Sequence, residues 1–556
     1  MSEYLVNQHA KFEFDSQTNA QYVKFTDPAG HNTYVPTFKN CEFKFYRDDY
    51  GYIIPVEAAR EAYLEARFTP TMPGVYKYSL CLEDESEVLS GCFEAVHKKP
   101  EAVSGYVEIS KNDSRYFAYD DGSCFVPIGV ALTEPEMHEA PKGKGYFKKD
   151  GKEYRGIITR EYRRIIKRMS ENGANLLKIR VSDNVFDART EFPECYNYAA
   201  FALLDKVIEE CRSYGIKVLL TFDCFRRYNH DGKSGLCMRY RKTGREIMDV
   251  ADYMRTTEFC EEWLRDLKGY IYRYGNDPVI FAFELFDEMD RIEGLTMEDI
   301  ENFTNYVIPH IRRSMPRTMI INSLSRCDAE YKKENEARMA KTEVSFDQIH
   351  RCFDLSAQLP ECKGTIHDMA RSAVEDMRNK RKPFLVSATG AVNDSSDDAF
   401  LYYRNDYPGL IFYDTVYTPF FAGAAGTGII MHTAEYIDSH NLWGHYKVFS
   451  DMVNSLKIDK QHFKFEFCQR RHYWMMLMHG RTTTLAYIRA NRSNWEYALR
   501  DDKKCVLFKG FRIQSQGGKR AKIFALPGEN MPDTLSLRNG EFWLPNFRHG
   551  LFLRIR

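Results

Sequence analysis

The pattern of apolar and polar positions changes twice along the 556-residue chain. In its first part, short runs of alternating apolar and polar residues are bounded by Gly, Pro and Asp, as in residues 41–46 and 74–81. Alternation with a period of two is typical of strands that bury one face. Residues 1–110 are therefore predicted to form an N-terminal β-sandwich.

From about Phe125 onward, apolar runs alternate with amphipathic stretches of helical spacing, such as residues 161–172, 201–214 and 259–274. Repeated strand–helix units predict a (β/α)8 barrel over residues 111–456. An open doubly wound sheet is the alternative, but it would usually carry a Gly-rich phosphate loop, which this chain lacks. The predicted strands are residues 125–132, 174–181, 217–222, 279–286, 318–322, 346–350, 383–387 and 428–432.

Helical periodicity fades after about Lys457. Residues 482–489, 504–508 and 551–555 alternate like strands. Residues 457–556 are therefore predicted to form a small all-β domain. The predicted fold class is α/β, with a TIM barrel flanked by two β domains.

Composition limits the partners that the chain could have. A formal net charge of −1 gives no electrostatic footprint for nucleic acid. No stretch approaches the roughly 20 apolar residues of a membrane span, and the polar start lacks the pattern of a signal peptide. The 14 cysteines show no framework spacing, which favours reduced thiols and a cytoplasmic location. No metal or other cofactor is predicted, and homo-oligomer formation stays open.

The active site of a parallel barrel lies at the carboxyl ends of its strands. Glu284 and Glu288 lie four residues apart in or beside an apolar strand, where a carboxylate is costly unless it is paired or functional. Hydrolysis of a glycosidic bond needs two carboxylates, but the predicted seventh strand ends at Ala388 and Thr389 without one. The polar residues predicted at the strand ends are Arg180, Asp223, Asp287, Glu288, Asn322, His350 and His432.

Residues 274–290, YGNDPVIFAFELFDEMD, resemble the strand-four signature of clan A glycoside hydrolases of the family 5 type. In that signature an asparagine precedes the acid/base glutamate. The resemblance implies that Glu288 is the acid/base and that Asp287 replaces the asparagine that contacts the sugar 2-hydroxyl. An ionised aspartate accepts hydrogen bonds but does not donate them as asparagine does.

Residues 382–390, KPFLVSATG, resemble the strand-seven segment that carries the nucleophilic glutamate in the same clan. That glutamate aligns with Ala388, which lies 100 residues after Glu288. The small-residue segment 420–428, FFAGAAGTG, is similar to the one that leads to strand eight in these proteins.

The same resemblance suggests further site residues. Arg180 matches the arginine that supports the nucleophile, and His350 lies where the clan often has His or Tyr. The tryptophan that often follows strand eight is missing. Phe225, Tyr228 or Glu435 is therefore predicted to help wall the sugar site.

Ala388 has two interpretations: the protein lost its nucleophile and binds sugar without cleaving it, or a glutamate was replaced in this chain. We favour the second, because Glu288, Arg180 and the strand-seven motif are retained. The predicted function is a retaining β-glycosidase for short oligosaccharides or glycosides, inactivated at Ala388. The alternatives are an arabinofuranosidase-type pentosidase and a non-catalytic carbohydrate-binding barrel.

Overall fold

The structure is a computed structural model, and no helix among its described residues combines the length and apolar character of a membrane span. The described residues are 2–47, 53–97, 105–132, 146–149, 152–155, 159–182, 186–190, 192, 194–228, 247, 249–377, 382–393, 398–515 and 517–556.

The N-terminal strands form a five-stranded sheet of order β1-β10-β9-β3-β4, a three-stranded sheet of order β2-β8-β5 and the hairpin β6-β7. Both larger sheets contribute to one buried cluster, in which the rings of Phe25 and Phe68 stack 4.1 Å apart. This arrangement is consistent with the predicted sandwich. The strands are β1 (Ser2–Leu5), β2 (Ala10–Phe14), β3 (Tyr22–Thr26), β4 (Asn32–Pro36), β5 (Phe38–Asn40), β6 (Phe43–Arg47), β7 (Ile53–Ala58), β8 (Tyr63–Phe68), β9 (Gly74–Cys81) and β10 (Glu87–Val96).

The middle of the chain contains two parallel sheets, of order β14-β17-β18-β19-β20 and β21-β22-β23, beside the small antiparallel sheets β11-β12-β13 and β15-β16. The strands of the parallel sheets overlap the eight predicted runs. All their residues are buried, as expected of strands covered on both faces, except Asp287 on β19 and Ala388 on β22, which are partly exposed. The bounds are β11 (Val107–Ile109), β12 (Phe117–Tyr119), β13 (Cys124–Phe125), β14 (Gly129–Ala131), β15 (Tyr146–Lys149), β16 (Lys152–Arg155), β17 (Leu176–Arg180), β18 (Lys217–Cys224), β19 (Ile280–Asp287), β20 (Met319–Ile321), β21 (Asp347–Phe353), β22 (Phe384–Ala391) and β23 (Ile429–Ile430).

Contacts join the edges of the two parallel sheets. The amide of Ser345, just before β21, donates to the carbonyl of Ile320 on β20 at 2.8 Å. At the other edges Gly129 of β14 lies against Ile429 of β23, so closely that a Cβ at Gly129 would be 2.4 Å from that side chain. A side chain at position 129 would therefore force Ile429 to move. The order of the strands is consistent with the predicted barrel.

The first predicted strand, residues 125–132, is divided in the structure. Phe125 belongs to the antiparallel sheet of β13, and only Gly129–Ala131 joins the parallel sheet. Pro127 lies between the two and has no amide proton to donate to a ladder, which explains the break.

The helices cover the parallel sheets, and the three predicted ones are present. Thr159–Glu171, Tyr198–Ser213 and Thr257–Tyr274 correspond to them. The other helices are Val250–Met254, Met297–Ser314, Glu330–Met339, Pro360–Lys363, Ile366–Met377, Leu410–Phe412, Thr418–Ala422 and Trp443–Val453, with π-helical turns at Tyr413–Tyr417, Thr433–Asp438 and Glu496–Arg500.

The C-terminal strands form sheets of order β24-β25-β26-β32-β28-β29 and β27-β31-β30. The predicted strands 482–489 and 551–555 are confirmed as β26 and β32, whereas the strand predicted at 504–508 is wrong. Val506 and Leu507 are about half exposed there, so a strand would bury little apolar surface. The bounds are β24 (Lys464–Gln469), β25 (Tyr473–His479), β26 (Thr484–Ala490), β27 (Arg512–Gln514), β28 (Ala521–Ala525), β29 (Thr534–Leu535), β30 (Leu537–Arg538), β31 (Glu541–Trp543) and β32 (Gly550–Ile555).

A buried ion pair connects the N-terminal sheets to the helices around the parallel sheets. Arg67 on β8 donates two hydrogen bonds to Asp205, at 2.8 and 2.7 Å, and a third to Glu65. Burial alone would lower the pKa of Arg67, but the carboxylates of Asp205 and Glu65 outweigh it and raise that pKa well above its usual value. Bidentate geometry of this kind fixes orientation as well as distance.

Candidate active site

A cavity of about 170 Å³ opens toward the carboxyl ends of β17, β19, β21 and β22. This is the edge of a parallel barrel that usually carries the active site. The predicted site residues that line it are Arg180, Phe225, Asp287, Glu288, His350, Ala388, His432 and Glu435. The structure thus brings together residues from widely separated parts of the chain.

The backbone at Glu288 turns sharply at the end of β19. Its φ of 62° and ψ of 54° lie in the left-handed region, which side chains other than glycine rarely adopt. The amide of Glu288 donates to Ser323 Oγ at 3.2 Å, and Ser323 Oγ donates in turn to the carbonyl of Phe286. Such a conformation costs about 1–3 kcal/mol and is found mostly at functional sites.

The carboxylate of Glu288 is held at both oxygens. His350 Nδ1 lies 3.2 Å from Oε1, and Arg291 Nη1 donates to Oε2 at 2.7 Å. The guanidinium of Arg291 stacks on the ring of Phe225 at 3.9 Å, which steadies its position. The Glu288 side chain remains 11% exposed, so its carboxylate is reachable from the cavity.

Lys178 lies below Glu288 in the interior of the parallel sheet. Its Nζ is 2.9 Å from Glu284 Oε2 and 3.3 Å from Asp287 Oδ1. Glu284 also accepts hydrogen bonds from Thr221 Oγ1 and Gln348 Nε2. The buried carboxylate that stood out in the sequence is therefore paired and solvated by hydrogen bonds.

These contacts shift two pKa values. Burial would raise the pKa of Asp287, but Lys178, His350 and Arg180 outweigh it and hold that pKa well below its usual range. Burial would likewise lower the pKa of Lys178, but Asp287 and Glu284 raise it instead. Asp287 is thus an ionised hydrogen-bond acceptor and Lys178 an ammonium donor at neutral pH.

The acidic residues around Lys178 could also be considered as ligands of a metal ion. Ligand atoms of Glu284, Asp287 and His350 lie within 4.8 Å of one another. The ammonium of Lys178, however, already lies among the two carboxylates. A second cation would meet its positive charge at close range, so these residues do not suit a metal.

Ala388 lies on β22 and contributes a methyl group to the cavity. The pairing of β22 is irregular on both sides of this position, between Ile349 and Arg351 of β21 and between Ser387 and Thr389 of β22 itself. Ala388 lines the cavity at this irregular point of the strand. Two hydroxyls beside it, those of Ser387 and Thr389, are buried and have no hydrogen-bond partner among the described residues.

Asp223, although predicted to contact sugar, does not line the cavity. Its carboxylate is fully buried and accepts hydrogen bonds from Arg189 Nη1 at 2.8 Å, Tyr228 Oη at 2.7 Å and Trp263 Nε1 at 3.3 Å. These bonds hold the loops that follow the strands. Tyr228, also considered as a wall residue, is committed to the same network.

Asn322 is likewise outside the cavity. Its Oδ1 accepts the amide of Phe286 at 3.1 Å, and its Nδ2 donates to Thr304 Oγ1 at 2.9 Å. Asn322 therefore fixes the end of β19, which carries Glu288, and its role is support of the strand.

The cavity residues that the sequence analysis missed include Lys178, Arg226, Arg291 and Met431. Lys178 carries a usable signal, because a lysine within the apolar run of β17 is as unusual as Glu284 within β19. Arg226 and Arg291 lie on exposed turns after β18 and β19, where charged residues are ordinary. Nothing in the local pattern distinguishes them.

The sequence matches no family model and no curated protein sequence. Solved structures do resemble it. A structure from Bacteroides vulgatus, provisionally described as a glycoside hydrolase, matches with a TM-score of 0.59 at 13% identity, covering 100% of this chain and 99% of that one. The chain has the fold of a glycoside hydrolase. A second structure, described as a glycoside hydrolase, has a TM-score of 0.52 at 10% identity and covers 81% of this chain and 97% of that one. At these identities the two similarities show a shared fold, which the first structure shares over the full length of the chain.

Proposed function

We propose that this protein is a glycoside hydrolase for short oligosaccharides or glycosides, with Glu288 as its acid/base. The observation that carries the proposal is that Glu288, directly after β19, and Ala388, on β22, line one cavity. These are the two positions that hold the acid/base and the nucleophile in the enzymes that the motifs resemble. In the proposed barrel of residues 111–456 they face each other across the sugar.

The roles of the residues follow from this placement. Glu288 protonates the leaving oxygen, and His350 and Arg291 hold its carboxylate in position. Asp287 accepts a hydrogen bond from a sugar hydroxyl, while Lys178 and Arg180 keep it ionised. His432 and Glu435 supply further polar groups to the wall of the cavity. Phe225 offers a ring to a sugar or aryl face.

The reaction depends on residue 388. With glutamate there, its carboxylate attacks the anomeric carbon while Glu288 protonates the leaving oxygen. Water, deprotonated by Glu288, then releases the sugar with net retention of configuration. Alanine provides no nucleophile, so the double displacement does not take place in the chain as it stands.

A second candidate function follows from the same alanine. A cavity with Lys178, Arg180 and Asp287 in place but no nucleophile binds a sugar without cleaving it. The protein would then be a carbohydrate-binding barrel. The residue at position 388 in the natural gene separates the two candidates, since glutamate favours the enzyme and alanine the binder.

The decisive experiment is Ala388→Glu, tested on a panel of 4-nitrophenyl β-glycosides and α-arabinofuranosides. The expected result is a rise of several orders of magnitude in kcat/KM on one sugar, which also separates a β-glycosidase from a pentosidase. Ala388→Gln is the matched control, because it has the same volume without the charge. Adding Glu288→Gln to Ala388→Glu should abolish the gain.

Azide gives an independent measurement on the chain as it stands. Azide is small enough to occupy the space beside Ala388 and can attack the anomeric carbon of a 2,4-dinitrophenyl β-glycoside, whose phenolate leaves without protonation. The expected product is the α-glycosyl azide, identified by NMR. If Ala388→Glu and azide both give no cleavage while sugars bind, the hydrolase proposal fails and the binding function replaces it.

A further inference from the structure

Two residues of the cavity depart from the motifs that the chain resembles, and they concern neighbouring carbons of the sugar. Asp287 stands where those motifs have an asparagine that contacts the 2-hydroxyl, and Ala388 stands where they have the nucleophile that attacks carbon 1. Both residues line the cavity that also contains Glu288. A single change in the substrate, at carbon 2, accounts for both departures.

His350 connects the three positions. On β21 it lies opposite the part of β22 that contains Ala388, at the irregular point in the pairing of the two strands. Its Nδ1 is 3.2 Å from Glu288 Oε1, and its Nε2 is 4.0 Å from Asp287 Oδ1. The two carboxyl groups and Ala388 are therefore grouped around one imidazole ring.

The carboxylate of Asp287 is charged and can be reached from the cavity. Lys178 Nζ lies 3.3 Å from Oδ1 and Arg180 Nη1 lies 3.5 Å from Oδ2, so the hydrogen bonds to both oxygens are long. The side chain is 17% exposed. It is ionised at neutral pH because the neighbouring cations outweigh the effect of burial on its pKa. Asp287 therefore accepts a hydrogen bond from the group at carbon 2 of the sugar and donates none.

We infer that the substrate is a β-linked 2-acetamido-2-deoxyhexoside, whose own acetamido group supplies the nucleophile that the chain lacks. The inference rests on the proposed role of Glu288 as the acid/base. Asp287 accepts the acetamido N–H, which turns the carbonyl oxygen of that group toward the anomeric carbon. Some glycosidases use the substrate in this way and need no nucleophile of their own. A carboxylate on β22 is then unnecessary.

Ala388 provides the space that the acetamido group needs. During the reaction this group folds beneath the sugar ring, on the face from which a glutamate at position 388 would attack. A glutamate side chain extends beyond its Cβ by about as many atoms as an acetyl group adds to a sugar. The acetamido group would meet both the bulk and the charge of that glutamate, so the two nucleophiles exclude each other.

The reaction balances with water as the only other reactant. First, the carbonyl oxygen bonds to the anomeric carbon, the bond to the leaving oxygen breaks, and Glu288 gives its proton to that oxygen. This step forms an oxazolinium ion, whose charged N–H lies against the Asp287 carboxylate. Water then gives a proton to Glu288 and bonds to the anomeric carbon, while the bond from that carbon to the carbonyl oxygen breaks and restores the acetamide. The β configuration is retained, as it is with a glutamate nucleophile.

The first test is a crossover between two substrates and two proteins. The substrates are the 4-nitrophenyl β-glycosides of N-acetylglucosamine and of glucose, which differ at carbon 2, and the matching pair with the galacto configuration. The chain as it stands should cleave the acetamido glycoside and leave its 2-hydroxyl partner intact. Ala388→Glu should reverse this preference, because its carboxylate attacks the 2-hydroxyl glycoside and fills the space of the acetyl group.

The size and the stereochemistry of the crossover are both measurable. Each protein should prefer its substrate by at least about 100-fold in kcat/KM, since well-placed intramolecular nucleophiles reach effective molarities of about 10⁵ M and more. The first-formed sugar should be the β-anomer, identified by ¹H NMR before mutarotation. An α-anomer from the acetamido glycoside would overturn the inference.

A second test needs no substitution. The thiazoline derived from N-acetylglucosamine has the bicyclic shape of the oxazolinium ion, with sulfur in place of the oxygen of the five-membered ring. Titration calorimetry should show that it binds the chain at least about 100-fold more tightly than N-acetylglucosamine, as expected of an analogue of the reacting state. Equal affinities would contradict participation by the acetamido group.

A third test, Asp287→Asn, asks whether the charge near carbon 2 is needed. Asparagine keeps the shape of the side chain and removes the negative charge that faces the oxazolinium N–H. In the chain as it stands, kcat on the acetamido glycoside should fall by about 100- to 1,000-fold, the usual loss when one preorganised stabilising group is removed. In the Ala388→Glu protein, acting on the 2-hydroxyl glycoside, the loss should be far smaller. If thermal unfolding shows that Asp287→Asn fails to fold, the crossover and the thiazoline still test the inference.

The outcomes separate this inference from the proposed function. An Ala388 protein that is inert toward acetamido glycosides, beside an Ala388→Glu protein that cleaves 2-hydroxyl glycosides, overturns the inference and leaves the proposed function intact. Equal losses from Asp287→Asn in the two proteins overturn the inference as well. Absence of cleavage by every protein overturns both.

Discussion

His350 and Glu288 come from different strands, β21 and β19, yet the imidazole Nδ1 lies 3.2 Å from the carboxylate Oε1. The other ring nitrogen lies 4.0 Å from Asp287 Oδ1. The imidazole therefore stands between the two acidic residues that end β19. Its position sets the direction in which Glu288 presents its oxygen to a substrate.

This relationship predicts how substitutions at position 350 affect turnover. In the Ala388→Glu protein, His350→Ala should reduce kcat by about 100-fold with little change in KM, because misplacement of a catalytic group by about 1 Å has an effect of that size. Asn places a nitrogen close to the Nδ1 position, whereas Gln places one close to Nε2. His350→Asn should therefore retain more activity than His350→Gln. The reverse order, measured as kcat and KM, would contradict a positioning role through Nδ1.

We expect substitution of Lys178 to lower the stability of the protein strongly. Lys178→Met leaves Glu284 and Asp287 without their shared cation, and breaking a buried ion pair on one side costs about 3–5 kcal/mol. The measurement is urea unfolding at pH 7. Lys178→Met combined with Glu284→Gln should recover part of the loss, since it removes one of the two carboxylate charges that lost the lysine. A Lys178→Met protein within 1 kcal/mol of the parent would show that the pair is not needed.

Because His9 is buried, we expect the protein to lose stability in mild acid. His9 is buried between Thr69 Oγ1 and the carbonyl of Arg273, and burial lowers its pKa from 6.5 to about 4. Between these pH values the unfolded chain binds a proton that the folded chain does not. The free energy of unfolding should therefore fall as the pH drops from 6.5 toward 4, by roughly 3 kcal/mol for this residue.

The matched comparison is His9→Gln, which cannot titrate. Its unfolding free energy, measured in urea from pH 7 to pH 4.5, should fall less steeply than that of the parent. Some slope should remain, because burial also lowers the pKa of His445 to about 4. Superimposable profiles for the two proteins would contradict the assignment to His9.

We expect the ion pair between Arg67 and Asp205 to hold the N-terminal sheets against the helices around the parallel sheets. Arg67→Met leaves the carboxylates of Asp205 and Glu65 buried without a cation, at a cost of about 3–5 kcal/mol. Limited proteolysis should then cut first near the junction of the N-terminal sheets. Asp205→Asn should have a smaller effect, because Glu65 still neutralises the arginine. An unchanged digestion pattern for Arg67→Met would argue against this attachment.

Local pattern by itself determined most of the secondary structure. Continuous apolar runs located the strands of the two parallel sheets, because such strands are buried on both faces. Helical spacing located the long helices, because a helix buried on one face repeats its apolar residues with the helical period. The motif around Glu288 also located the end of β19 and its acid/base candidate. Two strand predictions differed from the structure. Pro127 divides the first predicted strand, and residues 504–508 alternate but have no partner strand that would bury them.

Only the tertiary structure decided what each polar residue at a strand end does. Asp223 and Glu288 look alike in the sequence, as acidic residues after apolar strands. Asp223 is enclosed by Arg189, Tyr228 and Trp263, whereas Glu288 faces the cavity. Lys178 likewise has a role because the sheet places it beside Glu284 and Asp287. A charge takes its role from partners that are distant in the sequence, and the sequence pattern around it contains only its local neighbours.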